Sequence, residues 1–273
     1  MMGPNVSGAP LISIIVPSFN ELPSIMQESL SSIARQTFTN FECIVVDEST
    51  EIALASACRN KCAEDSRFIY IRPEKRLGLP GSLNLGLQVA RGEWVARFDI
   101  DDICVPERLA LQIAFLHRNP GVDVLGGAME VMDEMGNPVA YRRYPHAHNE
   151  IEKRIHFSTP LGHPTVVFRR QTVVDAGGYN SELRFAEDLD LWLRLLNRGV
   201  RFANLEDCLI RYRQHEPRRH FRHWTSNLRV RIKNLRKRFI VRRIAGMAFI
   251  LIWSLTPPVL QKTVYSKLIF GAR

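Results

Sequence analysis

Short apolar runs alternate with amphipathic stretches along the first half of the chain. Residues 11–16 form a β-branched, almost wholly apolar run closed by Pro17, the pattern of a strand buried on both faces of a parallel sheet. Ile25, Leu30, Ile33 and Ala34 follow at helical spacing, with Pro23 in a first turn, where its missing N–H leaves no hydrogen bond unmade. Residues 41–46 then read as a second strand. The same logic predicts a helix over 53–63, a strand over 68–71, a helix over 82–90 and a strand over 94–98 after the turn at Gly92. Pro106 opens a further helix with Leu109, Ile113 and Leu116 on its apolar side, ahead of a strand at 122–125. Strands and helices alternating at this spacing predict an α/β fold, a mostly parallel central sheet with helices on both faces.

Residues 127–184 are less regular, with a turn at 136–138 and a strand at 165–168. Helical periodicity returns at Leu189, Trp192, Leu193 and Leu196 and stops at Gly199, and strands at 201–205 and 208–212 close a body of residues 1–216. In the tail, residues 217–273, Phe221, Trp224, Leu228, Ile232, Leu235 and Phe239 recur every three or four positions among basic residues, predicting a basic amphipathic helix. An uninterrupted apolar stretch, 244–255, follows directly and ends ahead of Pro257 and Pro258. That stretch is short for a bilayer span and too apolar for water, so it is expected to embed in a membrane interface; a helix pair packed on the body or in a dimer is the alternative.

Charge sharpens this division. Lys and Arg number 37 against 28 Asp and Glu, yet no acid occurs after Glu216, and residues 217–273 carry 14 of the basic residues. A mildly acidic body therefore bears a strongly basic tail, which suits an anionic membrane surface, each basic residue near it contributing about 1 kcal/mol. A nucleic-acid-binding protein is the less fitting alternative, because the body is acidic and the tail's aromatics keep to one helical face; no nucleic acid partner is expected. The five cysteines, Cys43, Cys58, Cys62, Cys104 and Cys208, form no C-x-x-C pair and read as reduced thiols. The beginning of the sequence lacks the basic and long apolar regions of a secretory signal.

In open α/β sheets ligands bind beyond the carboxyl ends of strands, and here those ends are acidic. The first strand runs into Pro17–Glu21, the second into Asp47-Glu-Ser-Thr50, the fourth into Asp99-Ile-Asp-Asp102. No glycine-rich phosphate loop follows the first strand. Asp99 and Asp101, flanking Ile100, would point the same way from an extended backbone and hold a Mg or Mn ion through oxygen ligands; alternatively Asp102 caps the next helix and the other two are solvated. Glu187 and Asp188 begin the helix carrying Trp192, where the dipole keeps a carboxylate ionised, so Asp188 can serve as a general base or simply complement that dipole. A nucleotidyltransferase would share the demand for paired acids and a metal.

Ile12–Glu21, Val45–Ser49, Leu83–Leu87 with Ala90–Trp94, Arg97–Asp102 and Ala186–Trp192, in this order and spacing, resemble the bacterial family 2 glycosyltransferases. Gly162–Thr165, Phe168–Arg170, Gly177–Tyr179 and Tyr212–His215 are similar to members that build exopolysaccharide or O-antigen. The resemblance covers residues 10–216 and implies a GT-A fold, Rossmann-like, with inverting, metal-dependent transfer from a nucleotide diphosphate sugar, most often a UDP-sugar, to a saccharide or lipid-linked saccharide. Pro17 and Glu21 would line the nucleotide pocket, Asp47 would accept a hydrogen bond from the base, Asp99 would touch ribose or sugar, Asp101 would hold the divalent cation, and Asp188 would be the base. Asp102, Glu187, His163, His215 and Arg76 are further candidates around that site. With the basic tail, this implies work at the cytoplasmic side of the inner membrane.

Overall fold

A computed structural model describes residues 8–214 and 221–256. The chain opens with β1 (Ile12–Ser18), α1 (Pro23–Ala34), β2 (Phe41–Asp47), α2 (Ile52–Cys62), β3 (Phe68–Ile71), α3 (Gly78–Val89) and β4 (Trp94–Arg97). It continues with β5 (Ile103–Cys104), α4 (Arg108–Arg118), β6 (Val124–Met132), β7 (Pro138–Arg142), α5 (His148–Arg154), β8 (Val167–Arg169) and α6 (Arg170–Asp175). Last come α7 (Glu187–Asn197), β9 (Phe202–Arg213) and the tail helices α8 (Phe221–Lys233) and α9 (Ile240–Leu255).

The strands make one sheet, mostly parallel, in the order β3-β2-β1-β4-β8-β6-β9-β5, with β7 on β6. β1 runs parallel to both β2 and β4, so the carboxyl ends of these three strands open at one edge. The period of two sorts β1 between two cores. Ile12, Ile14 and Val16 pack with Leu30 and Leu109 under α1 and α4, while Ile15 faces Leu83, Leu87 and Trp192 on the opposite side. This two-sided burial is why the strand reads as a continuous apolar run. At Gly86 a Cβ would lie 2.5 Å from the Ile15 Cγ2, so glycine there lets α3 sit directly on β1.

Several expectations are corrected in detail. α3 starts at Gly78, four residues before the expected start at 82, because Gly78 takes φ +70° and turns the chain into the helix early. The two closing strands are one long strand, β9, whose parallel ladder with β6 shifts register around Ala128. The helix predicted through Phe239 ends at Lys233, and the chain restarts as α9 after Phe239, which takes a left-handed φ of +59°. The two tail helices form a hairpin docked on α7, with Arg231 bonded to Ile155 O and Arg238 paired with Glu152 at α5, and with Val230, Arg231, Arg243 and Ile250 buried. A Cβ on Gly246 would sit 2.0 Å from the His156 carbonyl oxygen, so α9 lies directly on that backbone. One side of the tail is thus packed on the body, as in the alternative of a docked helix pair, and the other is exposed. No helix among the described residues is long and apolar enough to cross a membrane.

Candidate active site

At the open edge of the sheet the loops after β1 and β2 are tied together. Glu48 N–H donates to Ser18 O at 2.9 Å, Asn20 N–H to Ser49 Oγ at 2.9 Å, and Thr50 N–H to Asn20 Oδ1 at 2.8 Å. Asn20, at φ +52°, makes this tight return possible. Asp47 ends β2 fully buried, its carboxylate accepting from Ser49 N–H (3.0 Å), Ser49 Oγ–H (2.6 Å) and Tyr70 O–H (2.8 Å). Three acceptor positions of the Asp47 carboxylate are thus taken within the protein, and these bonds brace the loop after β2. Glu48, which the sequence reading passed over, accepts from Leu77 N–H, Gly78 N–H and Ser82 O–H and so fixes the start of α3. Arg76 lies 3.8 Å over the Phe19 ring and 4.0 Å from Glu48, at the same rim as Pro17. Glu21 accepts from Leu22 N–H at 3.0 Å as α1 begins.

Beyond β4 the backbone turns. Asp102 N–H donates to Asp99 O at 3.2 Å, and residues 100 and 101 form a turn, so the extended geometry expected for 99–101 is not adopted. The turn achieves the same convergence by another route and adds a third acid. Asp99, Asp101 and Asp102 each present an oxygen within 4.8 Å of the others. Asp102 is not a helix cap: α4 begins later, at Arg108, and Asp102 is buried, accepting from Arg213 N–H at 2.8 Å through Oδ1 while Oδ2 has no hydrogen-bond partner among the described residues. Arg213 also donates to Asp101 O (3.0 Å) and Glu134 O (2.8 Å), holding the turn from β9. Burial, with the charges of Asp99 and Asp101, pushes the Asp102 carboxyl well above its usual range. Burial likewise raises Asp99, against the pull of Arg97. Such a cluster offers converging hard oxygen donors, one of them, Asp102 Oδ2, without a hydrogen-bond partner among the described residues, and so fits a divalent cation of the Mg or Mn kind.

Arg97 is the residue that connects this cluster to the second acid pair. It is buried, ion-paired with Asp99, and its charge also acts on Glu187, Asp188, Tyr179 and His163. Strand alternation puts it on the Asp99 side of β4; it is not among the candidate site residues read from the sequence, and an arginine ending an otherwise apolar strand is the signal that could have found it. Its backbone oxygen accepts from Arg108 Nη2 at 2.8 Å, which braces the strand end. Ala186 takes φ +63° directly before α7, strained for a residue with a Cβ, and this turn delivers Glu187 and Asp188 to the helix N-terminus. Asp188 is half-buried and accepts from Leu189 N–H at 2.7 Å; burial raises its carboxyl above the usual range.

Burial and the neighbouring Asp188 push Glu187 up to about 7. An acid raised on folding binds its proton more tightly in the native state, so stability is greatest below the unfolded value, near 4.5, and falls as pH rises toward 7. Thermal melts of metal-free protein should show this decline, to which the raised Asp99, Asp102 and Asp188 add, and Glu187→Gln should make it shallower; an unchanged slope in the variant would remove Glu187 as a source.

His163 backs Glu187 rather than standing free in the cleft. Its Nε2 lies 3.0 Å from Tyr179 Oη, its Nδ1 4.0 Å from Glu187, and its ring meets Trp192 edge-on. Burial, then Arg97, pulls it well below its usual pKa, so the ring is neutral. Trp192 is core, as its helical spacing indicates. His215 lies outside the described residues.

Comparison with known proteins follows the same outline. The profile of Glycosyl transferase family 2 matches residues 13–178. The amylovoran biosynthesis glycosyltransferase AmsE of Erwinia amylovora is 34% identical over 204 residues, 74% of this chain and 76% of AmsE. S. aureus TarS, solved with UDP-GlcNAc, matches with a TM-score of 0.65 at 22% identity, over 88% of this chain and 71% of that one. In the longer TarS chain the match spans 42% of its length. The mannosyltransferase PcManGT of Pyrobaculum calidifontis, solved with GDP-Man and Mn2+, matches with a TM-score of 0.67 at 18% identity, over 99% of this chain and 78% of that one. These two structures speak for the fold, which is GT-A-like, a curled α/β sheet with helices at its C-terminus.

Proposed function

The chain belongs to glycosyl transferase family 2, and from that premise we propose an inverting, metal-dependent transfer of a sugar from a nucleoside diphosphate donor, first of all a UDP-sugar, to a saccharide hydroxyl. The acceptor is a growing cell-surface polysaccharide or its lipid-linked precursor, at the cytoplasmic side of the inner membrane. The observation that carries this reading is the convergence of the Asp99, Asp101 and Asp102 carboxylates, with Arg97 acting both on Asp99 and on the Glu187–Asp188 pair.

Asp101, with Asp99 and Asp102, would hold the Mg or Mn ion, whose chemistry when bound is to offset the negative charge of the departing diphosphate. Asp188 takes the proton from the acceptor hydroxyl as its oxygen forms the new bond to the anomeric carbon. The bond to the diphosphate breaks on the opposite face of the sugar, which inverts the anomeric configuration. Arg97 holds Asp99 and sets a positive charge beside Asp188, favouring the ionised base. Pro17, Glu21 and Arg76 border the nucleotide, over the loop that Asp47 shapes. His163, held by Tyr179, lies 4.0 Å from Glu187 and lines its side of the site.

A screen of nucleoside diphosphate sugars with saccharide acceptors, read as nucleoside diphosphate release, tests the proposal. One donor is expected to react only with Mg or Mn present, and chelation is expected to stop it. Release of pyrophosphate from nucleoside triphosphates instead would favour a nucleotidyltransferase.

A further inference from the structure

We propose that the outward face of α9, with the groove at its start, is a docking surface for a bilayer containing anionic phospholipids, and that the α8–α9 hairpin is a rigid platform rather than a loose tether. Along α9, Val241, Ile244, Leu251, Ile252 and Leu255 share one side of the helix, at spacings of three, seven, one and three positions, and all are at least half exposed. The opposite stripe, Arg243, Gly246 and Ile250, is buried on the body. A helix docked on a protein in water ordinarily turns polar residues outward; this one turns a continuous apolar strip outward.

At the N-terminal end of that strip a shallow groove of about 750 Å³ combines apolar Phe157, Phe239, Ile240 and Val241 with the cations Lys237 and Arg242. The left-handed turn at Phe239 folds the chain back there between the two helices. No acid follows Glu216 to offset these charges, and Glu152 is engaged with Arg238 at 2.9 Å. Cations beside an apolar strip match lipid phosphates above acyl chains, and α9 is too short to cross, so it lies in the plane of the interface.

The platform is bonded to the helix that bears the acid pair. Asn234 Nδ2 donates to Asp190 Oδ1 at 3.0 Å, Asn197 Nδ2 to Asn234 O at 3.0 Å, and Arg243 Nη2 to Asn197 Oδ1 at 2.8 Å. Arg231 adds a bond to Ile155 O at 2.6 Å. Asp190 and Asn197 lie in α7, so a bilayer seated on α9 sets the orientation of Glu187 and Asp188 to the membrane surface.

Vesicle flotation of the full chain tests this without any donor, so its outcome is independent of the transfer reaction. Binding to vesicles containing phosphatidylglycerol is expected to exceed binding to pure phosphatidylcholine about tenfold and to fall with added salt. The paired substitution Leu251→Asp with Ile252→Asp should abolish flotation while melting temperature and nucleoside diphosphate release with a water-soluble acceptor stay unchanged. Lys237→Glu with Arg242→Glu gives a second reading through the charges alone, with loss of the preference for anionic vesicles expected. The proposal falls if wild type stays soluble with anionic vesicles, if either paired variant floats like wild type, or if sedimentation shows a dimer that Leu251→Asp with Ile252→Asp dissociates.

Discussion

Asp188→Asn is expected to slow sugar transfer by about 10² to 10⁴-fold, the range for removing a positioned general base. Asparagine keeps the size of the side chain and can still accept from Leu189 N–H, the bond that orients Asp188 at the head of α7. What it loses is the capacity to take a proton from the acceptor hydroxyl. Donor affinity, measured by calorimetry with the metal present, should change little, because the cluster after β4 is untouched. Since burial raises the Asp188 carboxyl, wild-type activity should climb with pH until that group is ionised. Turnover in the variant equal to that of wild type would take the base role from Asp188.

Asp101→Asn is expected to weaken metal-dependent nucleotide binding by roughly a hundredfold, about 2.7 kcal/mol. The substitution removes one of three converging carboxylates and leaves Arg213 holding the turn through its bonds to the Asp101 and Glu134 backbone oxygens. Titrating a nucleoside diphosphate with and without Mg or Mn separates the effects. Affinity without metal should be preserved, and the gain on adding metal should shrink. An undiminished gain would mean that the cation is held elsewhere.

The β-α-β alternation was legible because each element is specified locally: Pro23 at a first turn, β-branched runs for strands, and the period through Leu189, Trp192 and Leu196 for α7. The acidic strand ends were legible for the same reason, since topology places residues after parallel strands at one edge. Arg97 is different. Its place in β4 is local, but that its charge acts on Asp99 and on Asp188 together depends on how β4 and α7 come together, ninety residues apart in the chain. The closure of Asp47 depends likewise on Tyr70, contributed by the next strand.

The tail shows the division most plainly. Its periodicity and charge announced an amphipathic, basic segment, because those properties belong to the residues themselves. Whether a given face is buried belongs to a pair of surfaces, and only folding decided that Arg231 and Arg243 turn inward while Leu251 and Ile252 turn outward. So the sequence by itself determined the element order, the acids at the strand ends and the apolar period of each helix, all consequences of short-range sterics and hydrophobic spacing. Tertiary structure alone decided that Asp102 swings in beside Asp99 and Asp101, that Arg97 joins the two acid sets, and which side of the tail meets the body, because each needs contacts between segments far apart in the chain.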